Sequence, residues 1–310
     1  MNFPYSQDSI VRTPENRAWN WDYGWKELSI MGSQHIQTER GAVVFNTPFA
    51  RHKKYKTKLE QPKPKKGEHP KGADRITGTI VRYGDNFTVA EGEWHDEYAY
   101  DKDDPHTFDE TGSSIVQGKF FEDSGEHFAI GAPNADRYRG KVYLCKNCFK
   151  RRGRTDELIQ PSEGQMGERF GFSITPFKID QRSTTDDLIV GAPLHCHKRT
   201  DESTNDGRII VFKNKYGEQF DEVKVLESPT TTSSGRFGFV IANLGDIDSN
   251  GYGDFAVGAP GIDRVFVYYG DKDTSYTVSQ EIKGSEFNIG LGSGFGYALS
   301  QKRQKGNVFT

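Results

Sequence analysis

The sequence predicts an all-β protein assembled from repeated sheet units, and three observations carry that prediction. Short apolar runs rich in Val, Ile, Phe and Tyr alternate with clusters of Gly, Asp, Asn and Ser; Lys141-Val-Tyr-Leu144, Arg208-Ile-Ile-Val-Phe212 and Arg264-Val-Phe-Val-Tyr-Tyr269 are examples. Long amphipathic helical patterns are scarce, so many short strands between turns remain, as in a barrel, sandwich or propeller. The tripeptide Gly-Ala-Pro recurs at Gly131, Gly191 and Gly258, at intervals of 60 and 67 residues, near the length of a propeller blade with generous loops.

The elements follow in order within each unit. Phe170-Gly171-Phe172 and Phe237-Gly238-Phe239 each stand 21 residues before a Gly-Ala-Pro and open a first strand. A loop and an apolar strand lead to Gly-Ala-Pro, and a closing strand follows it. Blade-like units are expected at about 19–50, 108–150, 167–215 and 234–272, with a partial one at 292–310. The first keeps Tyr23-Gly24-Trp25 and Val43-Val-Phe-Asn-Thr-Pro48. The second keeps Gly-Ala-Pro but has only Gly112-Ser113 near its start, and Phe295-Gly296-Tyr297 opens the last. Between the first two units, 51–107 is the least blade-like stretch, basic and proline-bearing and then acidic from Glu91 to Asp104. It reads as a solvated excursion, expected to be protease-sensitive over 51–72, with a basic contact site for a partner or heparin-like polyanion as the alternative.

Composition excludes several classes. The 310 residues carry 41 Lys and Arg against 44 Asp and Glu, a formal charge of −3, without the basic excess expected of a nucleic-acid binder. No window approaches the roughly 18 apolar residues of a membrane span. Met1 to Val11 hold no apolar signal core. Three cysteines cannot build a disulfide framework.

The strongest local signal is Asp246-Ile-Asp248-Ser-Asn250-Gly251-Tyr252-Gly-Asp254. Side-chain oxygens fall at loop positions 1, 3, 5 and 9 through Asp246, Asp248, Asn250 and Asp254, with Gly251 at the sharp turn and Tyr252 offering its carbonyl. Hard oxygen donors crowded into so short a loop suit calcium better than magnesium. The three carboxylates would repel one another unless a cation neutralised them. Val257 stands where an EF-hand has its bidentate Glu, and a strand follows instead of a helix, so the loop belongs in a β-hairpin. As an extracellular module it would bind calcium at about 10⁻⁴–10⁻³ M. Shifting by 67 residues puts Ile179, Gln181, Ser183 and Thr185 on the loop positions and keeps only Asp187, so the preceding unit has lost the site.

Catalysis finds little support. There is no His-Glu-x-x-His, no Gly-x-Ser-x-Gly elbow and no phosphate loop, so no catalytic residue is assigned. Cys145-Lys-Asn-Cys148 and His195-Cys196-His197 lack the spacing of a four-ligand zinc site. A disulfide within Cys145–Cys148, or from either to Cys196, is the better reading if the chain is exported. Asn86-Phe87-Thr88 is the one glycosylation sequon.

Phe-Gly, then a calcium loop, then Gly-Ala-Pro is the mark of the FG-GAP repeat, and the chain resembles the N-terminal β-propeller of integrin α subunits. Arg236 to Pro260 carries the likeness best, followed by Val265-Phe-Val-Tyr-Tyr-Gly270, Ser279 to Gly284 and Phe295-Gly-Tyr-Ala-Leu-Ser300. Ile10-Val11-Arg12 with Tyr23-Gly24 looks like the family's opening strand, and Asp85-Asn86-Phe87-Thr88 like part of its second blade. The resemblance implies a seven-bladed propeller, here incomplete, and a cell-surface, calcium-bearing glycoprotein receptor head without enzymatic activity. It implies pairing with an integrin β subunit and binding of extracellular matrix or cell-surface ligands. In the family the aromatic after each Phe-Gly lines a central channel and cages a basic side chain of the β subunit; the matching positions are Trp25, Phe172, Phe239 and Tyr297, with Ser113 breaking the series. Ordinary core packing is the competing reading of those rings. The loops at 85–107 and 133–140 are the candidates for ligand contact. Fewer units than seven, and no signal peptide, leg or membrane span, imply a fragment, an aberrant gene model or a degenerate relative. The alternatives are the propeller part of a secreted FG-GAP hydrolase and a scaffold that binds nothing.

Overall fold

The computed structural model describes residues 109–146, 148, 157–197, 205–217, 219–230 and 234–300, together with the backbone of six short strands before residue 95. Trp25, Asn86, the Tyr23-Gly24 opening and residues 301–310 lie outside the described residues.

The strands form four antiparallel four-stranded sheets. The first consists of β1 (His35–Gln37), β2 (Val43–Thr47), β5 (Thr79–Tyr83) and β6 (Ala90–Trp94), with β3 (Arg51–His52) and β4 (Arg75–Ile76) paired as a side ribbon. The second is β7 (Ser114–Gly118), β8 (His127–Ala132), β9 (Lys141–Lys146) and β10 (Glu157–Ile159). The third is β11 (Ser173–Phe177), β12 (Asp187–Ala192), β13 (Arg208–Lys215) and β14 (Gln219–Glu227). The fourth is β15 (Val240–Gly245), β16 (Asp254–Ala259), β17 (Arg264–Tyr268) and β18 (Val278–Lys283). The first strands β1, β7, β11 and β15 are neighbours in that order, as strands around a common axis are. The chain is an incomplete β-propeller.

The fourth strands extend past the unit ends read from the sequence, and β5 and β6 come from within 51–107. The physical reason is visible in β14, where Gln219-Phe-Asp-Glu-Val-Lys-Val-Leu-Glu227 has no fully buried residue. An outer strand carries charge and so loses the apolar signature of the two strands inside it.

Strand alternation gives each sheet two faces, and the register repeats from sheet to sheet. One face carries small aliphatics: Ala129, Val142 and Leu144, then Ile189, Ile209 and Val211, then Ala256, Val265 and Val267. The other face is larger and richer in aromatics. The core lies between sheets, where the aliphatic row of one meets the opposite face of the next. Ile189, Ile209 and Val211 pack with Phe237, Phe255, Val257 and Phe266. Ala129, Val142 and Leu144 pack with Phe170, Val190, Ile210 and Phe212.

The repeated tripeptides are two halves of one contact between sheets. A Cβ on Gly131, Gly191 or Gly258 would lie 2.0–2.1 Å from the carbonyl oxygen of Gly171, Gly238 or Gly296 in the following Phe-Gly. Only glycine leaves room for that backbone approach. Ser114 and Ser173 donate across the same seam to the Gly171 and Gly238 carbonyls at 2.7 Å. Thr111-Gly112-Ser113 fills the Phe-Gly position of its unit: the Gly112 amide donates to the Gly131 carbonyl, as Gly171 does to Gly191. A buried Asp263 closes the last connection, accepting from the Gly292, Gly294 and Phe295 amides and the Ser293 hydroxyl. Burial alone would raise that carboxyl, but the four donors outweigh it and hold it below the usual range.

Candidate metal centre and aromatic arc

The Asp246–Asp254 loop joins β15 to β16 in a hairpin. Its turn is fixed by its own side chains. Asp246 accepts from the Asn250 amide at 3.0 Å and the Gly251 amide at 2.8 Å. Asp248 also accepts from the Asn250 amide, and the Asn250 side-chain oxygen accepts from the Tyr252 amide at 2.8 Å. Asn250 Nδ2 donates to the Gly270 carbonyl at 2.8 Å and to Asp248 at 3.0 Å. The Asp254 carboxylate accepts from the Ile247 amide at 2.7 Å and the Gly270 amide at 2.9 Å.

The result gathers charge. One carboxylate oxygen from each of Asp246, Asp248 and Asp254 lies within 4.8 Å of the others. Asp254 is buried, Asp246 half-buried and Asp248 exposed. Among the described residues no basic side chain forms an ion pair with any of the three. Burial pushes the Asp254 carboxyl up from its ordinary value; the Gly270 and Ile247 amides oppose that, and the Asp248 charge adds to it. Three oxygen donors with uncompensated charge, on a turn already folded by backbone amides, fit a hard divalent cation.

Position nine has a second role that its ligand pattern hid. Asp187 occupies the same place in the preceding unit and accepts from the Ile179 and Asn214 amides, both at 2.8 Å. His127 stands there in the unit before, accepting from the Phe121 amide at 3.2 Å. The residue opening the second strand therefore latches its hairpin in all three units, whatever else it binds.

The aromatics after Phe-Gly come together in sequence. The Phe172 and Phe239 ring centroids are 4.8 Å apart, and those of Phe239 and Tyr297 are 4.7 Å apart. Tyr297 is 65% exposed, so the arc is open at that end. Arg169, which no sequence pattern singled out, lies over Phe172 with its guanidinium carbon 5.3 Å from the ring centroid, and it pairs with Glu110. Ser113 turns back to the Glu110 carbonyl instead of joining the arc.

The 133–140 loop exposes Asp136, Arg137 and Tyr138, all three in left-handed backbone. The Tyr138 carbonyl pins the run by accepting from the Gly167 and Arg169 amides. Cys145 and Cys148 are joined to each other in a disulfide that does not include Cys196, so the two cysteine-bearing segments do not assemble a thiolate metal site. Among the described residues no helix is long and apolar enough to cross a membrane.

No family model matches the chain. Among curated proteins, integrin alpha-8 of Homo sapiens is 31% identical over 206 residues, covering 63% of this chain and 18% of that protein. Integrin alpha-PS3 of Drosophila melanogaster is 35% identical over 164 residues, covering 51% and 14%. Integrin alpha-IIb of Mus musculus is 31% identical over 217 residues, covering 66% and 20%. The chain thus spans a fifth or less of the length of these relatives.

Proposed function

We propose, from the premise that the chain carries an integrin α N-terminal domain in part, that it forms part of an integrin-type adhesion receptor head. In this reading it pairs with a β subunit, stands on the extracellular side of the plasma membrane and binds matrix or cell-surface protein, without catalysis. The observation that carries the reading is the arc Phe172–Phe239–Tyr297. A row of π faces one unit apart and open at one end suits a basic side chain inserted from a partner, at about 0.5–2 kcal/mol per desolvated contact. Arg169 already uses the Phe172 face in this way, which leaves Phe239 and Tyr297 for the partner. Trp25 would extend the arc, and Asn86 would carry the glycan. The loops at 85–107 and 133–140 are the ligand-facing candidates, and the latter presents Arg137 and Tyr138 on a pinned backbone. Calcium would be held by Asp246, Asp248, Asn250, Asp254 and the Tyr252 carbonyl, clipping the hairpin.

The test is co-purification of the chain with an integrin β-subunit head. Phe239→Ala and Tyr297→Ala should each weaken pairing several-fold while the circular dichroism melt shifts little. Equal loss of pairing and of folding would assign the rings to packing alone.

A further inference from the structure

Turns at one end of the sheets join first to second strands at 118–127, 178–187 and 246–254. The latter two share a scaffold, with Asp187 and Asp254 each accepting one amide from the turn and one from the end of the third strand. They also share a carboxylate count: Asp180, Asp186 and Asp187 in one, Asp246, Asp248 and Asp254 in the other. Acidity alone therefore does not separate a turn that needs a cation from one that does not.

Convergence and basic side chains separate them: among the described residues only Asp246, Asp248 and Asp254 bring three carboxylate oxygens within 4.8 Å of one another. In 178–187 the Arg182 guanidinium grips Asp180 through two bonds, Nε to Oδ1 at 2.9 Å and Nη2 to Oδ2 at 2.7 Å. Lys178 Nζ donates to the Ser183 carbonyl across the turn and lies 3.8 Å from Asp186 Oδ1. In 118–127 His127 Nε2 meets Asp123 Oδ1 at 2.7 Å, and Lys146 Nζ lies 4.0 Å from Asp123 Oδ2. In 246–254 no basic group approaches the carboxylates among the described residues.

We propose that Lys178 and Arg182 are built-in substitutes for the divalent cation, holding by side-chain charge a turn of the kind that the ion holds at 246–254. Lys146 does the same work for Asp123 one unit earlier, beside the hydrogen bond from the His127 ring. Converged acids without a basic partner, rather than the number of acids, are then what make 246–254 the cation-dependent turn. The inference rests on the reading of that loop as a cation site. It goes further by naming the residues that set which turn is ion-dependent: a Lys ammonium placed among the acids neutralises part of their charge without an ion. Arg182 is well exposed, so its share is modest and salt-sensitive, while the half-buried Lys178–Asp186 pair is the more protected one.

The experiment uses the whole chain and follows melting with and without calcium chloride. Wild type gaining melting temperature with calcium supports the cation-site reading; no gain overturns that reading. The substitution proposal is read separately in ion-free buffer containing chelator. Asp248→Lys should melt about 2 °C above Asp248→Ala at low salt, lose that advantage in about 0.5 M salt, and no longer respond to calcium. Lys178→Ala with Arg182→Ala should melt about 1–2 °C below wild type, with or without calcium. Asp248→Lys melting at or below Asp248→Ala, or the double variant melting with wild type, would overturn the substitution proposal while leaving the calcium result standing.

Discussion

Asp248→Ala isolates the ion from the scaffold. Asp254 cannot serve, because both of its oxygens hold backbone amides and its loss would loosen the hairpin with or without metal. Asp248 is exposed; among the described residues its side chain bonds only Asn250, whose amide is also held by Asp246. Its removal should therefore cost little without calcium, within about 0.5 kcal/mol for a surface change. With a dissociation constant of about 0.5 mM and about 5 mM free calcium, binding would stabilise wild type by RT ln 11, about 1.4 kcal/mol. For a chain of this size that is a rise of about 2 °C in melting temperature. Differential scanning fluorimetry with calcium against chelator reads it directly. Wild type should show the rise and Asp248→Ala should lose most of it, with nearly equal melting in chelator. An undiminished rise in the variant would place the ion elsewhere, and a variant already much less stable in chelator would show that Asp248 holds the scaffold too.

Gly191→Ala should destabilise by about 3 kcal/mol or more, because the new methyl would lie 2.1 Å from the Gly238 carbonyl oxygen and neither backbone can yield cheaply; a denaturation midpoint equal to wild type would refute the seam. Asp187→Ala should lower stability by about 1–3 kcal/mol, since it strands the Ile179 and Asn214 amides; a denaturation midpoint equal to wild type would refute the latch. Asp263 has a depressed folded carboxyl, so its contribution is complete above the unfolded value of about 3.9 and is lost as pH falls through the folded value. Urea midpoints from pH 7 to 3 should fall less steeply in Asp263→Ala than in wild type, and parallel profiles would remove Asp263 from the acid response.

What the sequence revealed follows the physics of each position. Gly-Ala-Pro and Phe-Gly stand out because backbone approach within a methyl's radius leaves glycine no substitute, as at Gly191 and Gly238. Second and third strands stand out because they are buried on both faces and read as apolar runs: β8, β12 and β16 are buried throughout. The fourth strands carry charge on a half-exposed surface and resemble loops. Thr111 hid its unit's opening because the backbone at Gly112 keeps the repeat's hydrogen bond while the phenyl ring is gone. The loop acids were legible as a group, since a turn with three carboxylates in nine residues raises a charge problem visible in one dimension. The latch role of Asp254 was not, because its partners are the amides of Ile247 and Gly270, and the second lies 16 residues away. Arg169 over Phe172 was hidden for a similar reason: a ring contact depends on side-chain direction, which spacing alone does not give.

The 246–254 turn also touches its neighbour, and that has a measurable consequence. The Gly251 carbonyl accepts from the Gln181 amide at 3.1 Å, and the Gly253 amide donates to the Ile179 carbonyl at 3.3 Å. A Cβ on Gly253 would lie 2.2 Å from the Lys178 carbonyl oxygen, so the two turns meet backbone to backbone. An ion that stiffens 246–254 must therefore also limit the opening of 178–183, because Gln181 cannot exchange its amide proton without parting from Gly251. Hydrogen exchange should slow at Gln181 on calcium binding by up to about tenfold, the factor that about 1.4 kcal/mol supports if the shared bond opens only when the ion has left. The amides of β9, a sheet away, should not respond. Slowing confined to 246–254 would show that the two turns open independently and that the ion clips one hairpin rather than the seam between two sheets.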